Sequence, residues 1–498
     1  MKSAPWLGRF GLAGAGYDRR LAWLLVALGL ALYTLGYAAF YPRGATNDDE
    51  GLYLDQTRLW LETRSFVTEK VDPLSGEREP FLTGDYPLGM VALMAPFVQA
   101  FGWRGAFFPS FLSLLIAVLV TARWLDEERR SPAFALILLA FPAILVGGRL
   151  AMSDVARTAF AAVGLWALFR GLDGHKGWWL TSGFVAGAAL TLRESAVLPF
   201  VPLFAGTVLR RDRGWVWLLL GGLAGTALHL ASNQQIFGEP LYVRGPGYLL
   251  DVGTIHQRLP LYLLGLLILV PGGLFFGLAY RGRRRPEIVA TIVLFVGFYL
   301  FQTFGMTETG FLKRLVNGLR YFDPLLPVLA FAMAESVPRL LGAWLPSPPE
   351  RPRLRRLATA AAALWIAGAL AAAFLVHPVF DRWTASQMRI RDALAKNVPV
   401  DAVLVANHGL GKFIDDLARS YTTLYRGHLS PDELDRLRAR YGGYFIALLD
   451  RSDSVYWRRD AAANAAFMAQ LGGPEPVVDL RVTSTDRLRI WRIDAEPR

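Results

Sequence analysis

The sequence predicts a polytopic α-helical membrane protein with about eleven transmembrane helices and a small C-terminal α/β domain beyond the membrane. Hydrophobic residues make up 53% of the 498 residues and charged residues only 19%, less charge than a soluble protein of this length carries. Residues 21–40 and 357–376 are nearly free of charge over about 20 positions, the length that crosses a bilayer. These runs lack the alternation of barrel strands, so they predict helices.

Eleven apolar segments are the candidate spans. Their expected bounds are 21–41, 106–124, 132–149, 154–170, 178–193, 195–209, 215–232, 259–280, 287–304, 321–341 and 357–377. The fifth and sixth are short for a membrane crossing, which is typical of tilted or re-entrant helices. The first follows basic residues, as in signal peptides, but it is long and lacks a clear small-residue cleavage site. We therefore expect it to be retained as the first helix.

The distribution of basic residues predicts the orientation of these helices. With a cytoplasmic N-terminus, the arginine clusters fall in the short cytoplasmic loops, and the short loops on the other face hold far fewer. The positive-inside rule is then satisfied at every cytoplasmic turn. Examples of these clusters are Arg210, Arg211 and Arg213; Arg281, Arg283, Arg284 and Arg285; and Arg351, Arg353, Arg355 and Arg356.

The composition also excludes several kinds of chemistry. The chain contains no cysteine, which rules out disulfides, thiolate zinc sites and cysteine catalysis. Its net charge of +12 is carried mainly in short loops between apolar runs, and this distribution argues against a nucleic-acid partner. The C-terminal region has no glycine pattern of a phosphate-binding loop.

Two long segments face outward in this topology. The first, residues 42–105, follows the first span, and its apolar stretch 89–101 is expected to form interfacial helix. The second, residues 378–498, is predicted to be an extracytoplasmic α/β domain, separate from a transmembrane domain of residues 1–377. Its expected elements are strands at 402–406 and 444–449, helices at 411–419, 432–441 and 460–471, and a hairpin within 477–493.

The first outward segment opens with the acidic cluster Asn47-Asp48-Asp49-Glu50. In one interpretation, Asn47 or Asp48 starts a helix that runs to about Glu62, because acids are favoured in the first turn. In a second and compatible interpretation, a carboxylate at this helix start lies beside a membrane cavity and serves as a general base. Spacing alone leaves both interpretations open.

Two further acids lie near the same face. In Asp85-Tyr86-Pro87, the proline favours an extended conformation of Tyr86, and Asp85 taken alone is typical of a turn-capping acid. The dipeptide Ser153-Asp154 begins the fourth span, where the N-cap preference of these residues explains it.

Two arginines mark later span entrances on this face. Arg193-Glu194 lies between two apolar segments, and such a charge either forms a local ion pair or meets an anion in a cavity. Arg320-Tyr321 enters the tenth span, where both residue types also serve as interface anchors. Together, an acid that takes a proton and arginines that hold a phosphate make a coherent chemistry at a membrane surface.

In the order and placement of these motifs, the sequence resembles the GT-C superfamily of membrane glycosyltransferases. It is most similar to the bacterial branch of protein O-mannosyltransferases, aminoarabinose transferases and rhizobial lipopolysaccharide-core transferases. The likeness covers about residues 20–340. The segments that carry it are, in chain order, DDEGLY, YPLG, MSDVARTAF, TLRESAVL and RYFDPLLPVLA. Each motif is weak alone, and the ordered set is fairly specific.

The resemblance implies transfer of a hexose or pentose from a polyprenyl-phosphate donor, at the outer face and with inversion. The family's acidic pair matches Asp49-Glu50, so Asp49 is implied as the base that deprotonates the acceptor hydroxyl, with Asp48 as its nearest competitor. Arg193 and Arg320 match positions that hold the donor phosphate. The further cavity candidates are Glu50, Asp85, Tyr86, Asp154 and Tyr321.

The chain departs from the family at Asp85-Tyr86-Pro87, where relatives often have a Pro-Pro pair and some place a basic residue before it. This weakens the case for phosphate binding by this loop. No cofactor is expected. Neighbouring acids on a helix point in different directions and cannot all converge on one ion, so we favour metal-independent transfer over transfer aided by a divalent cation.

The expected partners are the lipid-linked donor, membrane lipids and a glycan, lipid or protein acceptor. The expected location is the bacterial cytoplasmic membrane, with the C-terminal domain in the periplasm. The main alternative is a transporter or flippase for a lipid-linked saccharide, and a third is a non-catalytic receptor. Against transport, the sequence has no inverted repeat and no matched pair of Gly/Pro-broken spans.

Overall fold

The computed structural model describes residues 17–84, 86–242, 252–253, 255–301, 318–344, 352–407, 410, 421–424, 429–451, 455–483 and 486–494. In this part of the chain, six helices are long and apolar enough to cross a membrane. They are Arg19–Ala39, Trp103–Glu127, Ser153–Leu172, Trp215–Phe237, Arg320–Ala343 and Leu357–Asn397. Each coincides with a predicted span. The helical membrane architecture is therefore confirmed, and the count of eleven spans stays a prediction.

The elements are numbered here in chain order. The helices of the bundle and its first loop are α1 (Arg19–Ala39), α2 (Asp48–Thr63), α3 (Leu88–Phe101), α4 (Phe108–Glu127), α5 (Leu136–Ala140), α6 (Pro142–Gly147), α7 (Ser153–Leu172), α8 (Lys176–Ala188), α9 (Val201–Leu209), α10 (Trp215–Phe237), α11 (Ile255–Ile268), α12 (Gly273–Leu278), α13 (Arg285–Leu300), α14 (Leu326–Trp344) and α15 (Pro352–Asn397). The C-terminal helices are α16 (Pro431–Tyr441) and α17 (Val455–Gln470). The strands are β1 (Val67–Val71), β2 (Arg78–Leu82), β3 (Leu404–Asn407), β4 (Tyr421–Leu424), β5 (Gly443–Arg451), β6 (Val478–Arg481) and β7 (Asp486–Asp494).

Several predicted spans are shorter or interrupted in the structure. The span expected at 132–149 is divided into a 3₁₀ turn, α5 and α6. The division falls at Pro142, which lacks the N–H that would continue the helix and leaves Phe141 extended. The span expected at 195–209 contains α9, only nine residues long, and the span at 259–280 is divided between α11 and α12.

The centre of the bundle is built from α4, α7 and α14. Trp124 of α4 is buried and stacks on Phe331 of α14 with ring centroids 4.1 Å apart, and Phe169 of α7 completes the cluster. Helix α7 also packs against the short 3₁₀ helix Arg320–Leu325 that precedes α14. This packing brings the start of α7 next to Arg320.

Helices α8 and α10 approach each other at backbone distance through glycines. A Cβ atom added at Gly183 of α8 would lie 2.0 Å from the carbonyl oxygen of Leu218. One added at Gly221 of α10 would lie 2.2 Å from the carbonyl oxygen of Leu180. Each glycine begins a Gly-xxx-Gly pair, the pattern that lets membrane helices pack closely.

Residues 42–105, called the first loop below, fold into α2, a β-hairpin and α3. The predicted helix start is confirmed, because Asn47 and Glu50 form a capping box at the beginning of α2. The helix expected at 89–101 is α3. The β1–β2 hairpin was not predicted. Its second strand is exposed along its whole length and lacks the apolar alternation that signals a strand.

The C-terminal region is attached to the bundle by a continuous helix. Helix α15 runs without a break from the last predicted span to Asn397. The domain boundary that we predicted between residues 377 and 378 therefore falls inside one helix, and the division into two domains stays a prediction.

The C-terminal region has the expected mixture of strands and helices. Its five described strands form one mixed sheet in the order β4-β3-β5-β7-β6. Strand β3 runs parallel to β4 and β5, and β7 runs antiparallel to β5 and β6. Helix α16 begins after Ser430, whose side chain forms a capping box with Glu433. The helix predicted at 411–419 lies outside the described residues.

We expect Gly221→Ala to lower the thermal unfolding midpoint in detergent, because overpacking of this kind costs about 1–3 kcal/mol. Gly222→Ala is the matched control: its added Cβ would lie 3.9 Å from the nearest atom, the carbonyl oxygen of Gly183. Tryptophan fluorescence during heating measures both midpoints. Equal midpoints would contradict the close approach of α8 and α10.

Candidate active site

Asp49 lies in the first turn of α2, with its carboxylate held from two sides. The Tyr86 hydroxyl donates a hydrogen bond of 2.6 Å to Asp49 Oδ1. Asp49 Oδ2 lies 3.5 Å from Arg320 Nη2 and forms an ion pair with it. The Asp49 side chain is 33% exposed, so this carboxylate is oriented by the protein and still accessible.

Two stacked tyrosines fix the Tyr86 hydroxyl in place. The rings of Tyr53 and Tyr86 are 4.3 Å apart, and both side chains are buried. The Tyr53 hydroxyl donates to Ser153 Oγ at 3.1 Å, and Gln56 Nε2 donates to the Tyr86 carbonyl oxygen at 3.4 Å. Burial raises the pKa of Tyr53, which keeps its hydroxyl protonated at neutral pH. Asp49 is thus positioned through α2, α7 and the segment before α3.

Two arginines meet at the ring of Tyr321. The guanidinium carbon of Arg320 lies 5.1 Å from the ring centroid, and that of Arg193 lies 5.5 Å from it. Arg320 Nη2 also donates to the Tyr321 hydroxyl at 3.2 Å. The Tyr321 ring in turn stacks on Tyr299, 5.4 Å away. One of these two cations, Arg320, is also the ion-pair partner of Asp49.

A buried polar layer adjoins these arginines. Asp154 pairs with Arg157 one turn along α7, and both side chains are buried. Arg157 Nη1 donates to Ser195 Oγ at 3.4 Å, and the Tyr299 hydroxyl donates to the same oxygen at 3.1 Å. Asp323 is also fully buried, and neither of its carboxylate oxygens has a hydrogen-bond partner among the described residues.

The N-cap interpretation of Ser153-Asp154 is wrong. Met152 occupies the N-cap position of α7, without a capping side chain, and Ser153 is the first helical residue. Asp154 instead uses its carboxylate to balance Arg157, and it is close enough to Arg193 and Arg320 to interact with both electrostatically. A buried charge in a membrane helix needs such partners.

Glu50 has a structural position and is not exposed to a cavity. Its Oε2 accepts hydrogen bonds from the Thr46 backbone N–H at 2.7 Å and from the Thr46 hydroxyl at 2.6 Å. Its Oε1 accepts from the Ala151 N–H at 2.9 Å, and the residue is fully buried. Burial raises the pKa of Glu50, while the hydrogen bonds from Thr46, Ala151 and Asn47 oppose that shift. The prediction of Glu50 as a cavity residue is therefore corrected: it links the first loop to the start of α7.

Two predicted site residues cannot be placed in this arrangement. Asp85 lies outside the described residues, and so does the side chain of Asp48 in the first turn of α2. The structure thus brings together Asp49, Tyr86, Arg193, Arg320 and Tyr321, with Asp154 beside them. Within the described part of the chain, no group of three or more histidines and acids is arranged to hold a metal ion.

Three buried charged residues were not among the predicted site residues. Arg157 follows Asp154 by three positions on one face of a helix, a spacing that signals an ion pair. Asp323 follows Arg320 by three positions. Arg258 is buried in α11, where its Nη1 donates to the Leu300 carbonyl oxygen at 3.4 Å. For Arg157 and Asp323 the available signal was a charge inside a predicted span, since intramembrane charges tend to be functional or paired.

Comparison with protein families gives one match. The family described as dolichyl-phosphate-mannose-protein mannosyltransferase matches residues 87–219. This stretch contains Asp154, Arg157 and Arg193, whereas Asp49 and Arg320 lie outside it. No curated protein matches the chain by sequence.

Solved structures share the fold over most of the chain. ArnT from Cupriavidus metallidurans bound to undecaprenyl phosphate matches with a TM-score of 0.59 and 16% identity, over 94% of this chain and 97% of that one. The oligosaccharyltransferase of Archaeoglobus fulgidus, tethered with an acceptor peptide, matches with a TM-score of 0.54 and 10% identity. That match covers 96% of this chain and 74% of the other.

The fold defines a polytopic membrane protein whose helices are arranged as in ArnT and the archaeal oligosaccharyltransferase. ArnT and the oligosaccharyltransferase are both GT-C glycosyltransferases. The chain therefore has the GT-C membrane fold, and the resemblance predicted from its motifs is confirmed.

We expect Glu50→Ala to destabilise the fold, because it leaves the buried N–H groups of Thr46 and Ala151 without an acceptor. Each such group costs about 1–3 kcal/mol. The control is Glu62→Ala on the same helix, which removes only an exposed ion pair with Arg58 worth at most about 1 kcal/mol. Thermal unfolding of purified protein compares the two variants. An unfolding midpoint for Glu50→Ala no lower than that of the control would overturn its structural role.

Proposed function

We propose that this protein is an inverting glycosyltransferase that moves a sugar from a polyprenyl-phosphate donor to an acceptor hydroxyl at the outer face of the cytoplasmic membrane. One observation carries the proposal. Asp49, Arg193 and Arg320 come from three separate parts of the chain and gather around Tyr321 and Tyr86. A proton acceptor paired with Arg320, with Arg193 at the same tyrosine ring, supplies the base and the cations suited to phosphate that this reaction needs.

The fold supports the same class of donor. ArnT, with which the chain shares its fold over 94% of its length, was solved with undecaprenyl phosphate bound. The description of the matching family names a mannosyltransferase whose mannose is linked to dolichyl phosphate. We extend the lipid-phosphate donor from these proteins to this chain. The outer face follows from the arginine-rich loops, which the positive-inside rule assigns to the cytoplasm.

Asp49 is the general base of the proposed step. Its carboxylate takes the proton of the acceptor hydroxyl as the acceptor oxygen bonds to the anomeric carbon of the sugar. The bond from that carbon to the phosphate oxygen breaks, and its electron pair stays on the phosphate. One base and one stabilised leaving group suffice for this single displacement, which inverts the anomeric carbon.

Arg320 lies between the proposed base and the proposed binding site of the donor phosphate. It contacts Asp49 on one side and Tyr321, next to Arg193, on the other. As the bond to the sugar breaks, negative charge grows on the phosphate, and the two guanidinium groups stabilise it. Because these groups supply positive charge themselves, we propose that transfer is metal-independent.

We expect Asp49→Asn and Asp49→Ala to fold normally and to lose transfer by about 10²–10⁴-fold, the usual contribution of a general base. The assay incubates purified protein with radiolabelled polyprenyl-phosphate sugar and a membrane extract that supplies the acceptor. Full activity in Asp49→Ala with loss in Asp48→Ala would assign the base to Asp48. Full activity in both variants would refute the mechanism.

The same assay distinguishes transfer from transport. A flippase for a lipid-linked saccharide breaks no glycosidic bond, so the label stays on the polyprenyl phosphate. Label on an acceptor supports the transferase. Movement of the labelled lipid across a vesicle bilayer, with no labelled acceptor, would instead support the flippase.

We expect Tyr86→Phe to lower kcat by roughly 10- to 100-fold, because a hydrogen bond to a charged group contributes about 1.5–3 kcal/mol. The donor KM should change little, since the arginines are untouched. Tyr41→Phe is the control: it removes a hydroxyl that donates to the Arg104 carbonyl oxygen at 2.6 Å and not to Asp49. Wild-type kcat in Tyr86→Phe would show that this hydroxyl does not orient the base.

A further inference from the structure

The β1–β2 hairpin lies between the candidate base and the C-terminal domain. It has two strands of five residues, paired from Val67↔Leu82 at its base to Val71↔Arg78 near its tip. An isolated two-stranded hairpin is only marginally stable in water. Its second strand is exposed along its whole length, so burial on that strand adds little. The hairpin therefore depends on what holds its two ends.

The base of the hairpin is joined to the segment that holds Tyr86, the hydrogen-bond partner of Asp49. The N–H and the hydroxyl of Thr83 both donate to the carbonyl oxygen of Phe66, at 2.9 and 2.6 Å, and the Phe66 side chain is fully buried. Strand β2 leads to Tyr86 within four residues, and strand β1 follows the C-terminal end of α2, whose first turn contains Asp49. Gln56 of α2 bonds the Tyr86 carbonyl. Tyr86 is thus continuous with the hairpin base, and Gln56 joins it to the helix whose first turn holds Asp49.

The tip of the hairpin is seated on the C-terminal domain. Arg440 Nη1, at the end of α16, donates to the Leu74 carbonyl oxygen at 3.0 Å. The Leu74 side chain packs against the apolar cluster of that domain, which includes Leu437 of α16. Gly76 lies so close to the Arg440 guanidinium that a Cβ atom there would be 2.4 Å from Nη1. Its φ of +72° also favours glycine in this turn.

A second attachment fixes where the C-terminal domain lies. Helix α15 carries the chain into that domain without a break, and Asp381 on it forms an ion pair with Arg43 at 2.9 Å. The guanidinium carbon of Arg391, further along α15, lies 5.6 Å from the ring of Trp103. With the domain held by α15, the contact at Arg440 sets the position of the hairpin tip.

We propose that the hairpin is a strut through which the C-terminal domain positions the Tyr86–Asp49 pair, and that Arg440 is a positioning residue for transfer. This inference rests on the proposed function. Five residues of strand separate the hairpin tip from the base of the hairpin by about 17 Å. Arg440 therefore acts through Tyr86 without touching substrate. Arg193 and Arg320 lie on segments that the hairpin does not join, so the strut governs proton removal more than donor binding.

The first test measures transfer kinetics. Arg440→Ala should lower kcat about tenfold, as expected for a small displacement of a catalytic group, with the donor KM changed less than about twofold. Arg440→Lys should recover part of the loss, because lysine can still donate to the Leu74 carbonyl. Arg436→Ala is the matched control, since Arg436 is an exposed arginine on the same helix. Wild-type kcat in Arg440→Ala would overturn the proposal.

A double-mutant cycle distinguishes positioning through Tyr86 from a general disturbance of the protein structure. In a Tyr86→Phe background the hydrogen bond to Asp49 is already lost, so Arg440→Ala should cost less than about twofold there. If the two losses multiply instead, Arg440 acts independently of Tyr86 and the strut is refuted.

Hydrogen exchange tests the strut without any assay of transfer. Arg440→Ala should speed amide exchange at residues 83–86 and in the first turn of α2, relative to Arg436→Ala. Faster exchange confined to residues 72–77 would show that a change at the hairpin tip does not affect the residues at the base of the hairpin. That result would overturn the proposal. If the wild-type protein transfers no sugar, the proposed function fails, and this measurement alone decides whether the domain is coupled to Asp49.

Discussion

The contact of Asp49 with Tyr86 and Arg320 is the interaction on which the rest of the site depends. It joins the first turn of α2, the segment before α3 and the 3₁₀ helix before α14. The capping box at Asn47 and Glu50 sets where α2 begins, and so which way Asp49 points. The hydrogen bond that the Ala151 N–H donates to Glu50 fixes that helix start against the segment that leads into α7. A base that must meet an acceptor within hydrogen-bond reach requires this degree of positioning.

Burial of charge is the second constraint. Arg157 and Asp154 form a pair inside the bundle, while Arg320 pairs with the accessible carboxylate of Asp49. Charges at this depth are costly unless they are paired, which explains the pairing of Asp154 with Arg157 three positions further along α7. In the proposed reaction, Arg320 is shared between Asp49 and the donor phosphate. When Asp49 accepts the proton of the acceptor, its ion pair with Arg320 is lost. Arg320 is then available to the phosphate as negative charge grows there.

Local sequence signals predicted the secondary structure of this protein, whereas contacts between residues distant in sequence form the candidate site. Apolar run length predicted the long helices, and the capping residues predicted the start of α2, because both depend only on neighbours in sequence. The role of Glu50 could not be predicted in this way, since its partner Ala151 is about a hundred residues away. The β1–β2 hairpin was missed for a similar reason: its ends are held by Phe66 and Arg440 rather than by its own pattern.

The anomeric configuration of the product tests the central claim most directly. The wild-type protein would be given a polyprenyl-phosphate sugar of known configuration, and the linkage formed on the acceptor would be determined by NMR. A single displacement with Asp49 as base predicts complete inversion at the anomeric carbon. A product with retained configuration would contradict it, because retention requires a second displacement and a nucleophile that this mechanism does not use.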